Sequence, residues 1–135
     1  MASRKYRIVM LVDDSEIDNL INQKMIESAD LADIIFTHSG ARSAIEYLRN
    51  VEKVADPAAV LPDVLFLDID MPLMDGFQFL DEFEKLKPST KAGIRIVMLT
   101  SSVNPQDLDQ SKKYPSVHLF LNKPLSQRSL LQMAV

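Results

Sequence analysis

Nearly continuous apolar runs, separated by helical patterns, limit this sequence to few folds. Four of the five runs show almost no alternation of apolar and polar residues, which is typical of strands buried on both faces of a parallel sheet. The second run is short and has polar neighbours, so we expect it at a sheet edge. The runs are residues 8–12, 34–36, 64–67, 94–99 and 117–121.

Five amphipathic stretches follow the five runs and predict helices. In the first, Ile17, Leu20, Ile21 and Met25 recur at helical spacing, so we expect these residues to face the core, with Ser15 as the N-cap. The alternation of apolar runs and helical patterns therefore predicts a (βα)5 α/β fold. This fold is a doubly wound, five-stranded parallel sheet with right-handed crossovers. Residues 50–62 and 87–93 are predicted to be surface loops.

The last three predicted helices differ in how well they are anchored. The third follows Asp75 and Gly76, which we expect to cap the helix and to allow a close approach. The fourth, residues 104–114, has only Leu108 as an interior apolar residue, so we expect it to be the least anchored. The fifth follows Ser126 and carries Leu130, Leu131 and Ala134.

Length and composition exclude several classes of protein. The 135 residues fit one domain, for which we expect residues 6–135, with residues 1–5 as an N-terminal tail. The absence of cysteine excludes disulfide frameworks and thiol catalysis. A net charge of −4 argues against direct nucleic-acid binding. No apolar run approaches the length of a membrane helix, so we expect a cytoplasmic protein without membrane contact.

Polar and charged residues collect where the predicted strands end. In a parallel sheet these ends share one edge, where sites of α/β proteins form. Three converging carboxylates repel one another unless a cation lies among them, and oxygen-only donors suit Mg²⁺. A lysine and a hydroxyl beside Mg²⁺ suit a phosphoryl group, and an aspartate can accept one as an acyl phosphate. The residues are Asp13, Asp14, Asp68, Asp70, Thr100 and Lys123.

These motifs, in this order, resemble the receiver domains of two-component response regulators, including the single-domain chemotaxis regulators. The matching segments are Asp13-Asp14, Asp68 in LFLDIDMP, Asp75-Gly76 in LMDG, Thr100 in VMLTSS and Lys123-Pro124 in LNKP. The resemblance spans roughly residues 6–134 and implies a flavodoxin-like sheet with strand order 2-1-3-4-5. Members of the family commonly have a cis bond before this proline.

The resemblance also implies a role for each site residue. Asp68 is the expected phosphoacceptor, and Asp14, Asp68 and the backbone carbonyl of Asp70 are expected to bind Mg²⁺ directly. Asp13 is expected to act mainly through bound water. Lys123 is expected to pair with the phosphoryl group, and Thr100 to bond it.

Implied partners are a histidine kinase or phosphotransfer protein and a downstream protein target. The target is expected on the face formed by the fourth predicted helix, the fifth strand and the fifth predicted helix. Because no residue follows 135, we expect output through protein contact, unless the chain is a fragment. The implied function is a phosphorylation-dependent signalling module, not an enzyme, with slow self-dephosphorylation only.

Two residues depart from the usual family pattern. Phe120 occupies the position of the switch aromatic, where many relatives have tyrosine, so the ring can move inward but cannot donate a hydrogen bond. Asp70 puts an acid two residues after the phosphoacceptor. We expect Asp70 and Ser102 to influence how long the phosphoryl group survives.

An alternative function comes from another class. The sequence Asp68-Ile69-Asp70 also resembles the DxD motif of haloacid-dehalogenase-like phosphatases, which use an aspartyl nucleophile. That family has its DxD near the N-terminus and its paired acids late, which is the reverse of the order here. Incubation with Mg²⁺ and phosphomonoesters separates the two, since a phosphatase turns over and a receiver labels once.

Overall fold

The computed structural model describes residues 5–54, 60–101, 104–131 and 133. Within these ranges it contains five strands and six helices. In chain order they are β1 (Tyr6–Val12), α1 (Glu16–Ser28), β2 (Ala32–His38), α2 (Ala41–Val51), β3 (Val64–Asp68), α3 (Gly76–Phe83), α4 (Pro88–Ala92), β4 (Arg95–Thr100), α5 (Pro105–Ser111), β5 (Val117–Asn122) and α6 (Gln127–Leu131). The fourth and fifth helices predicted from sequence are therefore α5 and α6.

The strands form one parallel sheet in the order β2-β1-β3-β4-β5. This confirms the predicted flavodoxin-like topology and the edge position of β2. Strand β3 is buried at every residue, as its continuous apolar run predicts. In the centre, β1 pairs with β3, so that Val12 lies opposite Leu67. The carboxyl ends of β1 and β3 are therefore neighbours.

Two apolar clusters cover the two faces of the sheet. One joins the sheet to α2 and α3, through residues such as Leu48, Phe79 and Phe83. The other joins it to α1 and α6 through Ile26 and Leu130. Burial of these side chains supplies most of the driving force for folding, and the two-layer cover explains why the central strands lack polar alternation.

The predicted buried face of α1 is wrong for three of its four residues, while Met25 packs against the second apolar cluster. Ile17, Leu20 and Ile21 are 70%, 54% and 41% exposed, and the buried residues are Asn19, Asn22 and Ile26. The reason is local: the first half of α1 packs on backbone carbonyl and amide groups of loops, which require hydrogen-bonding partners rather than apolar ones. We call Ile17, Leu20 and Ile21 the α1 apolar stripe. The predicted N-cap is confirmed, since Ser15 Oγ accepts from Asp18 N.

Smaller differences concern the later helices. Predicted loop 87–93 contains the five-residue helix α4, which begins at a proline suited to a first helical turn. Helix α5 is shorter than the predicted 104–114, and its one buried residue is Ser111, which agrees with weak anchoring. Of the predicted fifth helix, Ala134 lies outside the described residues, as do residues 55–59 of the predicted loop 50–62.

Candidate functional site

The strand ends bring the predicted acidic residues together. Asp13 and Asp14 follow β1, and Asp68 is the last residue of β3. Each of the three offers a carboxylate oxygen, and these oxygens lie within 4.8 Å of one another. Asp13 and Asp68 are buried, whereas Asp14 is exposed. Oxygen-only donors at this spacing, open to solvent on one side, fit Mg²⁺, which keeps several waters when bound.

Lys123 enters the same cluster from the loop after β5. Its Nζ donates to Asp13 Oδ2 at 2.9 Å and lies 3.2 Å from Asp68 Oδ1. A third carboxylate, Asp18 of α1, accepts from it at 2.8 Å. Burial by itself lowers the pKa of Lys123, but the hydrogen bonds that it donates to Asp18 and Asp13 outweigh this effect and raise the pKa. The ammonium is thus fully charged and shared among three acids.

The two buried carboxyl groups, those of Asp13 and Asp68, have raised pKa values. Burial, followed by repulsion from Asp13, raises the pKa of Asp68 to about 6, although Lys123 opposes the change. Burial also raises the pKa of Asp13, against a hydrogen bond from Ser15 N and the pairing with Lys123. A cation bound here would relieve both effects, because it favours the ionised carboxylates.

The start of α3 packs directly against the Asp68 strand end. Asp75 caps the helix by accepting from Gln78 N, while the Gln78 side chain accepts from Asp75 N, a complete capping box. A Cβ on Gly76 would lie 2.9 Å from the Asp68 carbonyl oxygen and 3.0 Å from Ile69 Cα, too close to both. The structural roles predicted for Asp75 and Gly76 are therefore confirmed.

Thr100 and Phe120 lie on the other side of Asp68. Thr100, the last residue of β4, is buried, and its carbonyl accepts from Lys123 N at 2.7 Å. Phe120 is partly buried and lies opposite Met98 in the ladder between β4 and β5. A cavity of about 190 Å³ separates β5 from α5 and is lined in part by Phe120 and Leu108. Space for a side-chain rearrangement thus exists beside the strand that carries Phe120.

The two ends of α5 are held differently. Beyond its C-terminal end, the Tyr114 hydroxyl donates to Asp81 Oδ1 of α3 at 2.7 Å. At its N-terminal end, Asn104 caps the helix by accepting from Gln106 N. Ser102 lies outside the described residues. The Tyr114 hydrogen bond therefore ties the C-terminal end of α5 to α3.

Comparison with known proteins decides the family. The protein-family model of the response regulator receiver domain matches residues 9–135 of this sequence. The chain belongs to this family. A two-component response regulator from Cytophaga hutchinsonii has a similar structure, with a TM-score of 0.85 and 26% identity over 95% of this chain and 93% of that one.

Curated relatives are longer proteins. The receiver domain is 32% identical over 93 residues to a protein-glutamate methylesterase/protein-glutamine glutaminase of Treponema pallidum, covering 69% of this chain and 20% of that protein. It is 28% identical over 100 residues to the sensor histidine kinase CheAY of Helicobacter pylori, covering 74% of this chain and 11% of that protein. The chain thus spans a fifth or less of these two relatives. The haloacid-dehalogenase-like alternative finds no support in these similarities.

Three residues of the receiver domain's α1 were missed as contributors to the site. Asp18 pairs with Lys123, as described above. Asn19 Nδ2 donates to the carbonyls of Asp13 and His38, and Asn22 Oδ1 accepts from Leu125 N, just after the cis Lys123-Pro124 bond. The spacing of two asparagines three residues apart, in the helix that follows the acidic pair, is a signal that one helix face is polar and buried.

Asp70 lies apart from the three clustered carboxylates. Its side chain is exposed, and it is not a member of the group of acids that could hold a metal within the described part of the chain. The expected ligand from this residue is its backbone carbonyl, which stays a prediction. The longest described helix, α1, has 13 residues, and no described helix is both long and apolar enough to cross a membrane.

Proposed function

We propose that Asp68 is the phosphoacceptor of a two-component signalling pathway. The observation that carries the proposal is the cluster itself: a buried carboxylate at a strand end, two further acids within 4.8 Å and a lysine ammonium 3.2 Å away. Asp14, Asp68 and the Asp70 carbonyl would hold Mg²⁺, with Asp13 acting through water. When bound, Mg²⁺ neutralises charge on the phosphoryl oxygens and on the acids.

The transfer needs little from the protein beyond position and charge. An ionised Asp68 oxygen attacks the phosphorus of a donor phosphohistidine, and the new P–O bond forms as the P–N bond breaks. The imidazole nitrogen keeps the electron pair and takes a proton from solvent. Lys123 stabilises the negative phosphoryl oxygens, and the Thr100 hydroxyl donates to one of them once the acyl phosphate exists.

The donor is a histidine kinase or a phosphotransfer protein, and we propose that it docks over the α1 apolar stripe. These exposed side chains begin two residues after Ser15, the N-cap beside the acidic pair. A protein that delivers a phosphoryl group to Asp68 must cover this edge of the sheet. An apolar patch beside a charged centre gives such a complex its binding energy and leaves the charges to orient it.

Output is by protein contact rather than by catalysis. We propose that phosphorylation changes the face formed by α5, β5 and α6, where a downstream protein binds, and that the domain extends over residues 6–135 with residues 1–5 as a tail. Thr100 and Phe120 would couple Asp68 to this face. The domain would not turn over substrate and would only lose its phosphoryl group slowly to water. A histidine kinase pathway also implies a cytoplasmic location.

The test is covalent labelling with acetyl phosphate and Mg²⁺, followed by intact mass measurement. The wild-type chain should gain one phosphoryl group, removable by hydroxylamine as acyl phosphates are. Asp68→Asn should not label, because an amide is a poor nucleophile, whereas the control Asp70→Asn should. Undiminished labelling of Asp68→Asn, or labelling that persists in excess chelator, would contradict the proposal. Steady release of phosphate from phosphomonoesters would instead indicate a phosphatase.

A further inference from the structure

Strand β2 (Ala32–His38) is a sheet edge with exposed apolar side chains in the described part of the chain. It has seven residues, as many as β1 and more than β3, β4 or β5, and β1 is its one neighbour among the described strands. Ile34 and Phe36 are 45% and 37% exposed. Edge strands are normally protected by lysine, proline, bulges or short length, because unpaired edges recruit other chains.

A charged side chain is a further protection of sheet edges, and Asp33 is the one such protection in β2. Its sequence, Ala-Asp-Ile-Ile-Phe-Thr-His, contains neither lysine nor proline, and its pairing with β1 runs in register from Ala32 to His38. The opposite edge, β5, differs: its pairing with β4 is irregular between Ile96 and Val97. Strand β2 is thus the edge that offers a regular template for pairing.

The backbone direction of β2 follows from its hydrogen bonds to β1. Tyr6 N donates to Leu31 O, and Tyr6 is paired with Ala32. In a parallel ladder the Tyr6 carbonyl then accepts from Asp33 N, so that the peptide groups of the odd-numbered residues up to Thr37 face β1. The pattern ends at His38, whose carbonyl accepts from Asp13 N. The N–H and C=O groups of Ile34 and Phe36 therefore point away from the sheet.

We propose that β2 is a self-association surface, where a second copy of this chain pairs with it as an antiparallel strand. The two-fold axis passes between the two Ile35 residues, so that Ile34 lies opposite Phe36 of the second copy and Ala32 opposite His38 of the second copy. This register places all seven residues opposite one another, and its ladder hydrogen bonds form at Ile34 and Phe36, since the His38 carbonyl already accepts from Asp13 N and Asn19 Nδ2. A register shifted by two residues leaves two residues of each strand unpaired. A register shifted by one residue places an amide that points to the second copy opposite one that points to β1, so the two cannot form a ladder pair.

The strand is complementary to itself on both faces. On the α2 face, two pairs of Ile34 with Phe36 form, and a β-branched residue against an aromatic is a favourable cross-strand pair. On the α1 face, Ile35 meets Ile35, and Asp33 meets Thr37, whose hydroxyl can donate to the carboxylate. No like charges are opposed, because Asp33 is the single charged residue of the strand at neutral pH. This self-complementarity favours a second copy over an unrelated strand.

The proposed pairing leaves both Asp68 sites accessible. Antiparallel strands direct the carboxyl ends of the two sheets, and with them the two sites, to opposite ends of a ten-stranded sheet. The dimer therefore does not depend on phosphorylation, and it does not depend on the assignment of Asp68. Failure of labelling and failure of self-association are separate results.

A cysteine cross-link tests the register directly, since the chain has no cysteine of its own. In the proposed dimer, residue 35 faces its own copy in a non-hydrogen-bonded pair, with Cα atoms about 4.5 Å apart, within disulfide range. Ile35→Cys should therefore form a covalent dimer under mild oxidation with copper phenanthroline. The matched control is Thr37→Cys, whose copies are about 14 Å apart and should not cross-link.

Light scattering after size exclusion tests the association itself. The wild type should approach twice the chain mass as concentration rises. Ile34→Lys should stay at the monomer mass, while Leu131→Lys, at an exposed apolar site on α6, should behave as the wild type does. A wild type that is monomeric at all concentrations, or equal cross-linking of both cysteine variants, overturns the proposal. If Ile34→Lys does not fold, hydrogen exchange decides: the Ile34 and Phe36 amides of the wild type must gain protection with concentration.

Discussion

Lys123 Nζ lies closer to Asp18 Oδ2, at 2.8 Å, than to Asp68 Oδ1, at 3.2 Å. The lysine that is expected to bind the phosphoryl group is therefore held by helix α1 as well as by the strand ends. An incoming phosphoryl group must compete with the Asp18 carboxylate for this ammonium. That competition makes Asp18 a tuning residue of the site.

Asp18→Asn should accelerate labelling by acetyl phosphate about two- to fivefold, the range expected for a partly exposed ion pair. The change releases Lys123 toward Asp68 and removes one negative charge that repels the anionic donor. The matched control is Glu16→Gln, which removes a charge from the same first turn of α1 without touching Lys123. Rates are read by intact mass against time. Slower labelling of Asp18→Asn would contradict this prediction and show that Asp18 holds Lys123 in the position that phosphorylation requires.

Asp68→Asn should stabilise the metal-free protein at pH 7.5 by up to about 3 kcal/mol, since one pKa unit corresponds to about 1.4 kcal/mol. The pKa of Asp68 is raised from 3.8 to about 6 on folding. Between these values the folded state binds more protons than the unfolded chain, so the wild type loses stability as pH rises through this window. Urea unfolding at pH 4.5 and 7.5 should show the difference growing with pH.

Mg²⁺ provides the control for this effect. It binds the folded wild type and should narrow the difference at pH 7.5 by mass action. Asp70→Asn, which removes an exposed charge, should show no comparable gain, because its carboxylate is not desolvated. An Asp68→Asn advantage that is the same at both pH values would contradict the buried-charge explanation.

Leu20→Ser in the α1 apolar stripe should slow phosphotransfer from a phosphorylated histidine kinase or phosphotransfer protein by about tenfold or more, as for a central interface residue. Labelling by acetyl phosphate, which needs no docking, separates loss of the interface from damage to the site. Leu131→Ser, at an exposed apolar site on α6, should transfer at the wild-type rate. Equal transfer by both variants would remove α1 from the interface.

Beryllium fluoride, a phosphoryl mimic, should change amide hydrogen exchange between Thr100 and Lys123 more than in α1 and α2. The difference arises from contacts to Thr100 and Lys123 that exist only when the mimic is present. The change should be larger near Pro105 than near Tyr114, whose hydroxyl is bonded to Asp81. Thr100→Ala should bind the mimic but lose most of the change. Identical exchange with and without the mimic would contradict the switch.

The parallel sheet, and the edge at which the site lies, could be predicted because local sequence patterns determine both. Apolar runs buried on both faces are possible only in a sheet covered twice, and parallel strands bring their carboxyl ends to one edge. This is why Asp13, Asp14, Asp68 and Lys123, far apart in sequence, were expected together, and the structure brings them together. Their roles in phosphotransfer stay predictions.

Helix α1 could not be predicted from its apolar spacing. Ile17, Leu20 and Ile21 have the pattern of a buried face, but the first half of the helix packs on backbone groups of Asp13, His38 and Leu125. Which face of a helix is buried depends on what lies beneath it, and periodicity reports only that two faces differ. The pairing of Asp18 with Lys123 could not be predicted for the same reason, since it depends on which side of α1 faces the loop after β5.

The polar attachment of α1 has a consequence for how docking and chemistry communicate. Asn19 bonds the loop after β1, and Asn22 and Asp18 bond the loop that carries Lys123. Directional bonds resist tilting, so a force on the outer side of the helix is transmitted to these loops. A donor bound to α1, as proposed above, would therefore act on the loop that carries Lys123. By thermodynamic reciprocity, any effect of donor binding on the state of Asp68 is matched by an equal effect of that state on the affinity for the donor.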